Sequence, residues 1–397
     1  MFKKGTLVAG LAVLSTGALM AGSSPADDDV KISDPTSVVM IVNRDSNDLG
    51  FMDIKTHKMI GRVFLGNNVN PHMVMMSPDG RYVVTGGTRA NKAYIVDVRT
   101  LKLVKVINVD IAPEHLAFSP DSRWYYQGNP EGDSISVIDM QSLTKIKTIP
   151  GFQEPLNVTF TADGSKAYIG NYGAHWVGVV DVRRHELLKK IQITEFPGIA
   201  KLDPDKHLSE VHGINVAMMG ADGRYLYAAD GDLGVVGVID SREDKIVKVI
   251  RVGKDPWRIY MGHDGKYAIT PNNGDQTISI IDLKANKVAA TLEAGENMTG
   301  VNFAAGKAFV ISSTSGFVYV YDMNTLRPAG RLKIGVNIQL ETATTDTQDQ
   351  KIYLADSTEN AIVIIDGKTE KFEKITENVG LFPWGTHIMD SKDNYCH

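Results

Sequence analysis

The chain has 397 residues, a formal net charge of −5 and 43% hydrophobic residues. That is material for one large domain or two ordinary ones, and a mildly acidic balance without a basic block argues against nucleic acid as the main partner. The single cysteine, Cys396, excludes an internal disulfide and a CxxCH haem-attachment site.

The chain opens with Lys3 and Lys4, an apolar run "GTLVAGLAVLSTGALMAG", and small residues up to Ala26. This pattern predicts a signal peptide over 1–26 and an exported, most simply periplasmic, protein. The run is short for a bilayer, so no membrane span is expected once it is removed.

From residue 71 one phrase recurs: "PHMVMMSPDGRYVVTG" from 71, "PEHLAFSPDSRWYYQG" from 113, "PLNVTFTADGSKAYIG" from 155 and "PWRIYMGHDGKYAITP" from 256. Each copy is an apolar or alternating run, an Asp-Gly-like turn and a second run, the pattern of a β-hairpin. A third run follows and ends in aspartate: Asp53, Asp97, Asp139, Asp181, Asp240, Asp282, Asp322 and Asp366. Four short strands every 40-odd residues is the period of a propeller blade. The expectation is an all-β chain, an eight-bladed β-propeller of four-stranded blades over 36–391. The N-terminal part begins at a second strand ("SVVMIVNR") and the C-terminal part stops after a first ("WGTHIMD"), so the two ends are expected to share one blade. Residues 392–397 are expected to be a tail.

One spacing, Asp181 to Asp240, is 59 residues, and its excess falls at 194–210. This insertion has two prolines, no strand pattern and the acids Glu195, Asp203, Asp205 and Glu210, which are candidates for holding a hydrated cation. It is read either as a lid or docking element or as a tolerated surface insertion.

First strands line the channel of a propeller, so His72, His115, His212 and His387 are predicted to converge from different blades. Imidazole binds iron, copper or zinc, and these four form a candidate copper set. His57, His185 and His263 fall in outer turns and are expected to be solvated. His175, after a second strand in "NYGAHW", is expected to face the same mouth as His72.

The stretch "VMIVNRDSNDLGFMDIKTHKMIGRVFLGNNVNPHMVMMSPDGRYVVTGGTRANKAYIVD" resembles the opening of the haem d1 propeller family, which includes haem d1-containing nitrite reductases and haem d1-assembly proteins. The resemblance implies haem d1 or a related tetrapyrrole as cofactor, with His72 as iron ligand and Arg44 and Arg89 pairing with the macrocycle's carboxylates. "EVHGINVAMMGADGRYLYAADGDLGVVGVID" resembles the segment carrying a distal histidine, which implies a catalytic proton-donor role for His212, and "GNYGAHWVGVVD" places Tyr172 and His175 near the same pocket. The sequence departs from the nitrite reductases in having Ala305 where a second distal histidine is expected, and in lacking a cytochrome c domain. A c-type cytochrome or multihaem subunits are the implied partners. A second reading is a non-catalytic propeller subunit, without its own cofactor, in a multihaem complex of nitrogen metabolism such as hydrazine synthase, where it would resemble the β subunit. A third is a His-ligated copper enzyme.

Overall fold

The computed structural model describes residues 32–199 and 211–393. The predicted signal segment 1–26, the insertion acids Asp203, Asp205 and Glu210, and Cys396 and His397 lie outside the described residues. Eight four-stranded antiparallel sheets make up the ring. The second blade is typical: Met75–Met76, Tyr82–Gly87, Lys92–Asp97 and Lys102–Asn108 run in order from channel to rim. The ring closes as expected, because C-terminal Pro383–His387 pairs with Val38–Asn43 and becomes the first strand of the blade completed by Asp48–Asp53 and Met59–Phe64. Among the described residues no helix is long and apolar enough to cross a membrane.

Burial follows from position in the blade. Second and third strands are covered on both faces by neighbouring blades, and Val38–Asn43 is buried throughout. Fourth strands face outward on one side, and Lys102–Asn108 is mostly exposed. The eight aspartates all end third strands, and the reason is local. Asp53 accepts hydrogen bonds from the backbone N–H groups of Lys55 (3.1 Å) and Thr56 (2.7 Å), and Asp366 does the same for Lys368 and Thr369. The carboxylate thus caps the tight turn into the fourth strand. These bonds hold the carboxyls of Asp181, Asp322 and Asp366 below the usual carboxylate range.

The outer-turn histidines are not solvated, contrary to expectation. His185 is buried, because its turn folds back on the preceding blade. It lies edge-on to Trp124 at 4.6 Å and its Nδ1 is 2.7 Å from Tyr126 Oη. His57 Nδ1 is 2.6 Å from Glu373, and His263 Nε2 is 2.6 Å from Asp393. Asp393 also anchors the start of the C-terminal tail. It is fully buried and accepts from Phe303 N–H (2.8 Å) and Thr345 Oγ1 (2.6 Å). Asp393→Ala strands two buried polar groups and the half-buried His263, so a loss of at least about 2 kcal/mol is expected in urea unfolding. A change under about 0.5 kcal/mol would show that the tail is not clamped.

The described start of the insertion, 194–199, is anchored to the fifth blade and follows a buried residue. Ile193 is fully buried in the core between the fourth and fifth blades, and Arg251 Nη2 donates to the Gly198 carbonyl (3.1 Å).

Candidate functional site at the channel mouth

One register position gathers most of the chemistry. Each first strand enters opposite the last residue of its second strand: Pro71 faces Gly87, Pro256 faces Asn272, Leu340 faces Asp356 and Pro383 faces Asn43. The next residues are His72, Trp257, Glu341 and Trp384, and Glu114 follows Pro113 in the same way. Antiparallel order puts these heads on the same end of the ring as two sets of loops, those joining second to third strands and those joining each fourth strand to the next blade. That end is the mouth.

His72 is 7% exposed. Its ring centroid is 5.5 Å from Trp384 and 6.3 Å from His115, and Arg44 lies over the Trp384 ring at 4.2 Å. Phe382 stacks on the other neighbour of this array, 6.0 Å from Trp384. Arg44 Nη2 donates to Asn70 Oδ1 at 2.9 Å. Burial first, then the charges of Arg44 and Arg258, push the His72 imidazole down to about 3, so it is neutral at physiological pH. Its Nδ1 is closed off from solvent and has no hydrogen-bond partner among the described residues.

Arg258, 1% exposed, is the largest fully buried side chain, and it lies 5.5 Å over the Trp257 ring. Burial pushes Glu114 and Glu341 up to about 7, against the pull of Arg44 on both. Two permanent cations therefore share the buried mouth with two carboxyls that exchange protons near neutrality.

The residues expected from the sequence divide. His72, Arg44 and His115 come together. Arg89 is exposed on the adjoining loop, close enough for its charge to act on Arg44. His212 is on the same face, but its side chain is 52% exposed, stacked on Tyr172 at 5.7 Å with Nδ1 3.4 Å from Asp255. Tyr172 also meets Trp257 edge-on at 5.8 Å. His175 is held by Asp230 of the next blade, with Nδ1 2.8 Å from Oδ2. His387 is buried three residues further along its strand than Trp384, opposite Met40, and burial pushes it down to about 3. The four-histidine copper set is therefore not assembled. The residues sit at different depths along their strands, and among the described residues no group of three or more His, Cys, Asp or Glu is placed to hold a metal ion. Glu195 ends the short turn Ile193–Glu195 and is exposed, so it has no described acidic companion from the insertion.

Glu114, Glu341, Trp257, Arg258 and Trp384 were missed by the sequence reading. Aligning the repeats on the residue before each first strand would have found four of them, and Arg258 is one position further on.

From His115 and Arg258 a channel cavity of about 330 Å³ extends toward the opposite end, walled by Met73, Met75, Phe118, Phe160 and Met218.

Fold and site together define an eight-bladed propeller with a buried imidazole between guanidinium groups at one channel mouth. No protein-family profile matches the chain, and no curated protein does. Among solved structures it is similar to dihydro-heme d1 dehydrogenase NirN in complex with DHE, at 18% identity and a TM-score of 0.74, over 90% of this chain and 76% of that one. It is also similar to hydrazine synthase of Kuenenia stuttgartiensis, at 22% identity and a TM-score of 0.58, over 76% of this chain and 96% of that one. Identities this low establish a shared fold. The expected likeness to haem d1 propellers and to hydrazine synthase is borne out at that level.

Proposed function

We propose that the chain is an exported propeller that binds haem d1 or a related tetrapyrrole at the channel mouth, in the metabolism of nitrogen oxides. The observation that carries this reading is His72: a buried, neutral imidazole with an orphaned Nδ1, set between Arg44 and Arg258. A buried polar atom without a partner calls for one, and neutral imidazole is a good iron ligand. Arg44 and the exposed Arg89 suit the carboxylates of a macrocycle. A bound tetrapyrrole would supply redox chemistry at its iron. The chain's own contribution is to hold that group, exclude water beside His72, and exchange protons through Glu114 and Glu341. His212, on the open side of the mouth, is the proposed proton donor there. The likeness to NirN in complex with DHE supports the reading.

A second reading, a scaffold subunit in a larger complex, draws on a different observation. Trp384 and His115 are already in contact with His72, and Arg44 lies on Trp384, so binding requires these side chains to give way. The likeness to hydrazine synthase supports it.

Titration of the purified protein with ferric haem, as a surrogate tetrapyrrole, decides between them. The first reading expects a saturable 1:1 absorption band that is lost in His72→Ala, which should still unfold cooperatively. No saturable band, or one unchanged in His72→Ala, defeats it and leaves the scaffold reading.

A further inference from the structure

The two ends of the ring differ sharply in charge. Across the described mouth-side loops there are 13 acidic residues, all at least partly exposed, and four basic ones, of which Arg258 is buried. The turns at the opposite end, those joining first to second and third to fourth strands, carry nine acidic and 12 basic residues. The chain's formal charge of −5 thus hides a strongly polarised molecule. A field this one-sided steers association with a complementary surface.

A second, independent feature marks the same face. Val336 and Leu381, 65% and 54% exposed, are the most exposed large apolar side chains of its described loops, both in loops that lead into first strands, and Phe64 (59%) ends a fourth strand on the same side. The Leu381 loop is held rigidly. Its N–H donates to Ser46 Oγ (2.9 Å), its carbonyl accepts from Asp45 N–H (3.2 Å), and the Phe382 N–H donates to Asn360 Oδ1 (2.7 Å). A held apolar knob on loops that also carry Asp45 and Glu377, with Glu359 beside them paired to Lys374 (2.6 Å), has the make-up of a protein-docking patch, with an apolar centre in a charged rim. The patch also connects inward, because Phe382 next to Leu381 stacks on Trp384, which touches His72.

We infer that the mouth face is a docking surface for a protein with a lysine-rich face, centred on Leu381 and flanked by Asp45 and Glu377. This inference does not depend on what, if anything, His72 binds. It assigns the approach side of the partner and the chemistry of the surface that the partner must present.

The test uses the full mature chain and two probes: a basic cytochrome c, and the same cytochrome c with its lysines succinylated. Calorimetry should show saturable 1:1 binding of the basic form only, weakening as salt rises. The double variant Asp45→Lys/Glu377→Lys should lose about tenfold or more in affinity. Asp79→Lys/Asp163→Lys, at the opposite end, should lose less than twofold. Leu381→Ser should weaken binding several-fold without changing the salt slope, a result that diffuse charge attraction does not give. The inference is overturned if the succinylated form binds as well, if both charge-reversal pairs act alike, or if Leu381→Ser has no effect.

Discussion

The ligand-free protein is expected to hold its stability from pH 7 to about 4.5 and to lose it steeply between 4.5 and 3. His72 and His387 cause the loss. Buried in the channel wall, each takes a proton only near pH 3 in the folded state, whereas the unfolded chain takes it up near 6.5. Acidification therefore favours the unfolded state by roughly 4–5 kcal/mol for each histidine, spread over that interval. Glu114 and Glu341 act in the opposite direction. Their folded carboxyls accept protons near 7 and their unfolded ones near 4.5, so acidification stabilises the folded state between those values. The two pairs offset each other down to about 4.5, and below that only the histidines remain. Two protons correspond to a slope of about 2.7 kcal/mol per pH unit. The turn aspartates held low by their backbone bonds add to the fall at the acid end. His387→Gln should cut the histidine part of the slope by half. Urea unfolding at half-unit pH steps measures it, and a curve unchanged in His387→Gln would refute the account.

Asp230→Ala is expected to destabilise the protein by about 3–5 kcal/mol, the range for removing one partner of a buried ion pair. Asp230 is fully buried, and burial raises its carboxyl above the usual range despite the stabilising bond from His175. Its Oδ1 also accepts the Leu233 N–H at 3.1 Å, which fixes the loop after its strand. Removing the carboxylate strands both groups and loosens the wall that carries His175 and, through Asp232, the backbone of His212. Asp230→Asn should cost only about 1 kcal/mol. The repeat explains the difference. Asn43, Asn129, Asn171 and Asn272 occupy the equivalent strand ends in other blades, where their amides bond to nearby backbone or side chains, as Asn171 Nδ2 does to the Trp176 carbonyl (3.2 Å). The backbone there already suits an amide, and what sets this blade apart is the pairing of its carboxylate with a histidine, whereas the equivalent Asp356 of the eighth blade pairs with Lys374 (3.2 Å). Equal losses for the two variants would show that the fifth blade depends on the carboxylate's charge and not on the hydrogen bonds that an amide can keep.

The repeat carried the fold because a blade is a local object. Its strand lengths, its Asp-capped turn and its hairpin are set by residues within about 40 positions of one another, and seven contiguous copies plus one split blade require closure. The individual histidines were a different matter. A one-residue offset in strand register decides whether a side chain enters the channel, meets the next blade or turns to solvent. His72 and His115 occupy successive positions at the heads of adjacent blades and still meet, whereas His212 stops two residues short of its strand and His387 falls deeper in its own. His175 sits in a mouth-side loop, as expected, but its ring is taken up by Asp230, 55 positions away.

The sequence by itself determined the architecture, the blade number, the shared closing blade and the prominence of His72, because repetition and local turn chemistry are written along the chain. Only the tertiary structure decided what surrounds His72. Trp384 reaches it from near the C-terminus, Arg258 lies several blades away, and Glu114 and Glu341 are shifted by burial. The face-wide contrast in charge emerges only when loops distant in sequence are folded onto one end of the ring. Distance through space and loss of water set these properties, and neither is encoded in any single stretch of residues.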